Sequence, residues 1–285
     1  MSRHRARGAA LILVVWLVML LAALVGAFAL SARIEYLQGR TLHGGIVAGQ
    51  AARAGLEYAL ARLGEADPAH AWVPDGRTYA WRFDDATVEV RIVDEAGKVD
   101  LNGADAALLA ALLRVCGASQ RQAEELAGAI LDWRDGDDLV QPVGGAEDPH
   151  YAAAGLPYGA KDAPFETVAE LQQVLGMTPE LFRRLEPHLT VHTGLPAPDT
   201  RYSSAEVLQA VGVDPAPVLA GRERPLRPEE VALLAGGSGT YSIESTARLG
   251  DGSRSMLRAV VRVGASGVPG SAYTILRWEE GATPR

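Results

Sequence analysis

The sequence contains little of what would point to a disulfide-stabilised domain, a nucleic-acid-binding surface or an enzyme. Cys116 is the one cysteine among 285 residues, so an intrachain disulfide is excluded, and its apolar neighbours predict a buried side chain. Lys and Arg number 27 against 35 Asp and Glu, and the net charge of −8 argues against nucleic acid or anionic lipid head groups as the main partner. The sequence ties together no Ser/His/Asp or Cys/His set, so we predict no catalytic activity.

Charge is also absent from residues 9–32, a continuous apolar run. As a helix, a run of this length extends about 36 Å, which is enough to cross the hydrocarbon core of a bilayer with some tilt. Arg3, Arg5 and Arg7 precede the run and are expected to stay in the cytoplasm, which places the residues after it on the far side of the membrane. A secretory signal peptide would have a shorter apolar core and then a break, whereas this run continues into a helical pattern.

Residues 33–63 continue the helix and contain no proline, although three glycines weaken its middle. Apolar residues recur there at helical spacing and predict one packing face. The residues of that predicted face are Ile34, Leu37, Val47, Ala51, Ala54 and Tyr58. Proline-containing segments end the helix, and strand-like runs at 77–83 and 87–93 then predict an antiparallel hairpin.

Short helical patterns occupy most of 94–238, and strand patterns return after them. The predicted helices are 105–116, 121–133, 167–175, 179–187, 205–211 and 228–235, and the predicted later strands are 241–248, 256–263 and 272–278. This order predicts an α+β fold, in which a long N-terminal transmembrane and amphipathic helix packs on an antiparallel sheet and a large all-α domain is inserted between strands. The predicted segments are a leader (1–8), a transmembrane helix (9–32), a helix with the first strands (33–93), the inserted domain (94–238) and the remaining strands (239–285).

A basic leader that ends in glycine and is directly followed by an apolar helix resembles the class III signal of type IV pilins and type II secretion pseudopilins. Further stretches are similar to the general secretion pathway protein K family of minor pseudopilins. They are ALILVVWLV at 10–18, AARAGLEYAL at 51–60, DEAGKVDLN at 94–102, LDWRDGDD at 131–138 and FETVAELQQVLGM at 165–177. The resemblance covers nearly the whole chain in the right order. From the N-terminus alone, an ordinary one-pass anchor in which Gly8 has no role is the alternative.

The resemblance implies a pilin-like fold and a minor pseudopilin of the type II secretion system, which forms or caps the pseudopilus tip and aids assembly for export across the outer membrane. It implies cleavage between Gly8 and Ala9 by a prepilin peptidase, with methylation, and a single-pass position in the bacterial inner membrane. The N-terminus would be cytoplasmic and the C-terminal domain periplasmic. Members of the family lack the glutamate that most pilins carry at the fifth mature position, which is Leu13 here.

The partners that the resemblance implies are the other minor pseudopilins, of the I and J types, together with the prepilin peptidase and the inner membrane, and no nucleic acid. Two alternatives belong to other classes of protein. One is a helix-hairpin-helix-like nucleic-acid-binding membrane protein, which the acidic charge of the chain disfavours. The other is a membrane-anchored hydrolase, which would need a nucleophile beside a base in the helical domain.

Six carboxylates lie between Asp132 and Asp148. From the residues alone, a solvated acidic loop is favoured over a site for a hard cation such as Ca²⁺, and the spacing does not fit an EF-hand. The resemblance reverses this preference, because the helical domain of the family holds calcium. It implies a structural calcium ion, for which the predicted ligands are Asp132, Asp135, Asp137, Glu147 and Asp148.

Overall fold

The structure is a computed structural model that describes residues 5–235, 237–264 and 272–281, with side chains from residue 10 onward. Residues 1–4 of the predicted leader, Gly236 and most of the predicted turn before the last strand lie outside the described residues. The described helices are α1 (Arg5–Leu63), α2 (Ala106–Val115), α3 (Gln120–Arg134), α4 (Asp148–Ala153), α5 (Pro179–Leu185), α6 (Ala205–Ala210), α7 (Pro215–Glu223) and α8 (Pro228–Leu234). The described strands are β1 (Asp75–Phe83), β2 (Ala86–Asp94), β3 (Val99–Asp100), β4 (Leu189–Thr190), β5 (Thr240–Arg248), β6 (Arg254–Val263) and β7 (Tyr273–Glu280).

Helix α1 is continuous over 59 residues, and its two halves have different surroundings. Residues 10–43 are exposed along the whole helix surface. Within the described ranges, α1 is the one helix that is long and apolar enough to cross a membrane. Its C-terminal half packs on the sheet through Ala48, Ala52, Leu56 and Ala59, which are all fully buried. The prediction that this half lies on a globular body is confirmed.

The buried face of α1 includes Ala51 as predicted, but its other buried positions differ from the predicted ones by about one residue. Ile34 and Leu37 are 47% and 51% exposed, because they precede the part of the helix that reaches the sheet. Tyr58 lies at the side of the contact, where its ring stacks on Trp81 with centroids 4.3 Å apart. Small alanines take the central positions instead, since they allow the helix backbone to approach the strands closely.

Five antiparallel strands form the sheet in the order β1-β2-β5-β6-β7. The predicted hairpin is confirmed, with Tyr79 of β1 opposite Val90 of β2. Val90 and its neighbours Val88 and Ile92 are fully buried under α1, as their alternation with charged residues predicts. Strand β2 also pairs with β5, although these two strands are separated along the chain by all of the described helices α2–α8. The predicted α+β class with a helical insertion is therefore confirmed. We refer to the segment between β2 and β5 as the insert.

Gly55 permits the close approach of α1 to the sheet. A Cβ at this position would lie 2.6 Å from Val88 Cγ1 and would also collide with Ser245 Oγ. We expect Gly55→Ala to lower the free energy of unfolding by about 1–3 kcal/mol, because overpacking outweighs a gain in helix propensity of roughly 1 kcal/mol. Thermal unfolding of the full chain in detergent measures this change.

Gly45→Ala is the matched control for this substitution. Gly45 lies on the exposed part of α1, and a Cβ there would meet no atom within 4 Å. The control should therefore unfold at the wild-type temperature or slightly above it. A Gly55→Ala variant as stable as the control would contradict the close helix–sheet contact.

The insert has its own hydrophobic core, separate from the one between α1 and the sheet. Its largest fully buried side chains are those of Leu101, Leu112, Leu113, Ile130, Tyr151, Leu171 and Leu185. Cys116 is also buried there, as predicted, and burial raises the pKa of its thiol to about 11. The two-residue strands β3 and β4 pair in parallel beside this core.

Parts of the insert differ from the sequence-based prediction. The predicted helix at 167–175 is a 3₁₀ helix, Val168–Gln173, which begins with a capping box between Thr167 and Glu170. Helices α4 and α7, and the β3–β4 pair, were not predicted. Both helices carry proline in the first turn, where its missing N–H leaves no helical hydrogen bond unmade.

Two buried carboxylates fix the insert to the sheet at its neck, where β2 ends and β5 begins. Asp94 accepts hydrogen bonds from the backbone N–H of Ser238 at 2.6 Å and from the Ser238 hydroxyl at 2.5 Å. Glu95 forms an ion pair with Lys98 and accepts a hydrogen bond from the Ser242 hydroxyl on β5. Charged hydrogen bonds of this kind are among the stronger ones in proteins, so the neck is a firmly held junction.

Candidate functional site

The acidic cluster lies where α3 ends and α4 begins. Asp132 is in the last turn of α3, Asp135 is its C-cap residue, and Glu147 is the N-cap residue of α4. The loop between them folds back, so that both carboxylate oxygens of the fully buried Asp132 accept a hydrogen bond from the backbone N–H of Gln141, at 3.2 and 3.3 Å. Because Gly128 on α3 has no side chain, the loop backbone can lie directly against the helix.

Three carboxylates of the cluster converge. One ligand oxygen from each of Asp132, Asp135 and Glu147 lies within 4.8 Å of the others, and no other group of three or more His, Cys, Asp or Glu in the described residues meets this condition. Asp135 Oδ1 and Glu147 Oε1 are buried and have no hydrogen-bond partner. A buried carboxylate oxygen without a partner is costly, so the site is suited to a cation that both oxygens can bind.

Electrostatics at the site favour a cation as well. Burial, followed by the negative charges of Asp132, Asp162 and Asp135, raises the pKa of Glu147 to about 7. Burial also raises the pKa of Asp135, with the charges of Asp137 and Asp132 adding to it. Burial also raises the pKa of Asp132, although the hydrogen bond from the Gln141 N–H acts to lower it. Full ionisation of the cluster is therefore unfavourable, and a divalent cation would reverse that balance.

The other two predicted ligands lie outside the converging group. Asp137 is exposed, and its carboxylate accepts a hydrogen bond from the Leu139 N–H at 2.9 Å. Asp148 is exposed in the first turn of α4, close to Gly159, where a Cβ would collide with its carboxylate. The ligand set thus remains a prediction, with Asp132, Asp135 and Glu147 as the members that the fold brings together.

Asp162 belongs to the electrostatics of the cluster but was not identified from the sequence. Its charge contributes to the raised pKa of Glu147, and burial followed by the charges of Asp148 and Asp138 raises its own pKa. Asp162 comes after α4 in the sequence. Sequence spacing alone could therefore not associate it with the carboxylates at the end of α3 and the start of α4. A positive φ of 53° at this non-glycine residue is the local signal that the structure adds.

One serine–histidine contact occurs in the insert. Ser204 Oγ lies 2.8 Å from His188 Nδ1, and His188 Nε2 lies 3.8 Å from a carboxylate oxygen of Glu206. Ser204 is the N-cap residue of α6, and its hydroxyl oxygen accepts a hydrogen bond from the Val207 N–H. This contact fixes the start of a short helix, which is a structural role for the serine.

Comparisons with known proteins concern both sequence and fold. Residues 90–194 match the family model described as "Type II secretion system (T2SS), protein K". "Type II secretion system protein K" of Pectobacterium carotovorum subsp. carotovorum is 36% identical over 78 residues, which is 27% of this chain and 24% of that protein. The Klebsiella pneumoniae protein of the same name is 28% identical over 208 residues, 65% of this chain and 63% of that protein. The chain thus spans less than two thirds of the length of these relatives.

The fold resembles that of a solved structure. One chain of the crystal structure of the GspK-GspI-GspJ complex from the type 2 secretion system of enterotoxigenic Escherichia coli superposes with a TM-score of 0.56. The superposition covers 88% of this chain and 99% of that chain at 17% sequence identity, which shows a shared fold. Residues 90–194 therefore match the domain of the type II secretion system protein K family, and the chain is similar in sequence and in fold to proteins of that name.

Proposed function

We propose that this chain is a minor pseudopilin of the type II secretion system, which forms or caps the pseudopilus tip and aids its assembly for protein export. The observation that carries this proposal is the family domain at 90–194. Most of this domain lies in the insert, which is at one end of the strands, while α1 covers one face of the sheet. The insert contains 11 Lys and Arg against 22 Asp and Glu, so no observation favours the nucleic-acid-binding alternative.

The exposed, apolar part of α1 supports an anchor in the inner membrane, with the N-terminus in the cytoplasm and the rest of the chain in the periplasm. The basic residues before the apolar run support this orientation. The proposed partners are the I-type and J-type minor pseudopilins, in line with the complex in which the similar solved chain was crystallised. Residues 34–47 of α1 are the proposed contact, because their apolar side chains are exposed while the later part of the helix is covered by the sheet.

Cleavage between Gly8 and Ala9 by a prepilin peptidase is the result that tests the pseudopilin assignment. We expect mass spectrometry of the chain from its native host to find Ala9 as the N-terminus, because a basic segment ending in glycine precedes the apolar helix. Gly8→Val should leave the leader attached. Gly26→Val, a glycine substitution within the apolar run, is the control and should be processed normally. Retention of Met1 in the wild-type chain, or cleavage after residue 31, would refute the assignment.

A structural calcium ion is the proposed occupant of the acidic site. The donor set consists of hard carboxylate oxygens, two of which are buried without a partner, and this is the chemistry that Ca²⁺ prefers. Asp132, Asp135 and Glu147 would hold the ion, and Asp137 and Asp148 are the further predicted ligands. When bound, the ion would neutralise the repulsion among the carboxylates and clamp the loop between α3 and α4.

A further inference from the structure

The face of the sheet opposite α1, which we refer to as the outer face, carries charges in cross-strand rows. In its middle row, Arg91, Glu244, Arg258 and Glu279 lie in register on β2, β5, β6 and β7. The signs alternate along this row, and Arg258 Nε lies 2.6 Å from a carboxylate oxygen of Glu244. Opposite charges on directly paired residues stabilise a sheet, so this row needs no partner from outside.

The row at the β1–β2 turn end of the outer face has a different composition. Arg82 on β1 is opposite Thr87 on β2, Thr87 is opposite Arg248 on β5, and Arg248 is opposite Arg254 on β6. All four residues are exposed. We refer to Arg82, Arg248 and Arg254 as the arginine row. It concentrates positive charge on one strip of an acidic protein.

The arginine row is unfavourable for the isolated chain. Like charges directly opposite each other destabilise a sheet, and Arg248 and Arg254 form such a pair. Among the described residues, no carboxylate oxygen lies within 4.0 Å of a guanidinium nitrogen of the row. The carboxylates nearest in sequence or register are Glu89 in the next row and Asp84, Asp85 and Asp251 in the turns. A local cost of this kind, without compensation inside the chain, is typical of functional surfaces.

The row lies at the end of the sheet nearer the apolar run. The β5–β6 turn reaches α1 at Gly44, where a Cβ would lie 3.0 Å from the Ser253 Cβ and 3.2 Å from a carboxylate oxygen of Asp251. The insert leaves the opposite end of the sheet, after Asp94 and before Thr240. Exposed apolar side chains on α1 lie before this contact and directly beside it. They are Ile34, Leu37, Leu42 and Ile46, with 47–68% of their surface exposed.

The position of the row disfavours direct contact with lipid head groups when α1 stands upright. From the end of the apolar run to Gly44 the helix rises about 18 Å, and the head-group layer accounts for about 5–7 Å of this. The remaining distance of about 11 Å exceeds the Debye length of about 8 Å at physiological ionic strength. A protein partner beside the exposed part of α1 can reach the row, whereas attraction to the membrane surface is weakened by screening.

We propose that the arginine row is the docking site for an acidic segment of a neighbouring pseudopilin, which also covers the exposed apolar side chains of α1. This inference rests on the proposed function, because that function supplies the neighbouring subunit. The partner would neutralise the like-charged pair of Arg248 and Arg254, so that complex formation removes a strain that the free chain carries.

The test compares the full chain in detergent micelles with its Arg248→Gln/Arg254→Gln variant, using the I-type and J-type pseudopilins of the same secretion system as probes. We expect the variant to bind about tenfold more weakly at low salt and to show a smaller loss of affinity with rising salt. Its unfolding temperature should equal or exceed that of the wild type, because the substitutions remove repulsion. A merely structural role for the arginines would instead lower it. Arg114→Gln, which removes one positive charge from the exposed surface of α2, is the control and should bind as the wild type does.

Several outcomes would overturn the inference. Equal affinity of the wild type and the variant would remove the role of the row while leaving the proposed function intact. Arginine-dependent binding to vesicles of phosphatidylglycerol without an effect on partner binding would assign the row to lipid. Arginine-dependent self-association in sedimentation would assign it to a second copy of this chain. A wild-type chain that binds neither pseudopilin would overturn the proposed function and the inference together.

Discussion

Calcium is expected to raise the unfolding temperature of the purified full chain relative to a sample in chelator. A ligand that binds only the folded state stabilises it by about 2.7 kcal/mol at a hundredfold excess over Kd. For an insert of this size, each kcal/mol shifts the midpoint by about 2–4 °C, so the expected rise is about 5–11 °C. Differential scanning calorimetry with Ca²⁺, with Mg²⁺ and with chelator measures it, and Mg²⁺ should give the smaller shift because it demands stricter geometry.

Glu147→Gln is expected to abolish the calcium effect without destabilising the metal-free chain. Glu147 is buried beside Asp132 and Asp135, and repulsion within this group disappears when one charge is removed. The variant should therefore unfold in chelator at or above the wild-type temperature and gain nothing from calcium. Asp138→Asn, an exposed carboxylate outside the converging group, should keep the gain. An unchanged melting curve for the wild type on addition of calcium would leave the cluster as a solvated acidic loop.

A single copy of this chain per fibre is expected in purified pseudopili, against many copies of the major pseudopilin. Subunits that stack head to tail must present a repeatable surface at both ends. Here the insert occupies the end of the sheet remote from the apolar run, where it would obstruct a further subunit of the same thin fibre. Leu13 supports the same position, because the resemblance to pilins implies that the missing glutamate would pair with the N-terminal amine of a further neighbour, which a terminal subunit does not have.

Quantitative mass spectrometry of purified or cross-linked pseudopili measures the copy number. The control is a count of the I-type and J-type pseudopilins in the same sample, which should be similarly low if these three proteins form one tip complex. Finding this chain spaced along the shaft at many copies per fibre would show that the tip assignment is wrong.

The sheet and the long helix could be predicted because their signals are periodic and local. Val88, Val90 and Ile92 alternate with charged residues, and all three are buried under α1. The insertion could be predicted from the order of patterns alone, and β2 pairs with β5 as that order requires. What could not be predicted was the exact face of α1, because alanine and glycine positions decide how close a helix comes to a sheet and these residues are weak hydrophobic signals.

The insert and its site were harder to predict because short elements and loop contacts depend on tertiary structure. Helix α7 begins at Pro215 after the N-cap residue Asp214, a sequence that equally suits a connecting loop. The converging carboxylates of the site come from a helix end and a helix start, and spacing could not separate them from the exposed Asp137. The arginine row could not be predicted from the sequence, because its three members lie on different strands. Only the register of strand pairing brings them into one row.

The neck of the insert has a mechanical consequence. Strands β2 and β5 run in opposite directions and both meet the insert at the same end of the sheet. A force applied to the insert along the strands therefore moves β2 and β5 together, loading β2 against β1 and β5 against β6 in shear. In shear, a whole ladder of hydrogen bonds must break at once, whereas peeling breaks them one after another. A force on the insert along the strands is thus resisted by the β1–β2 and β5–β6 ladders together.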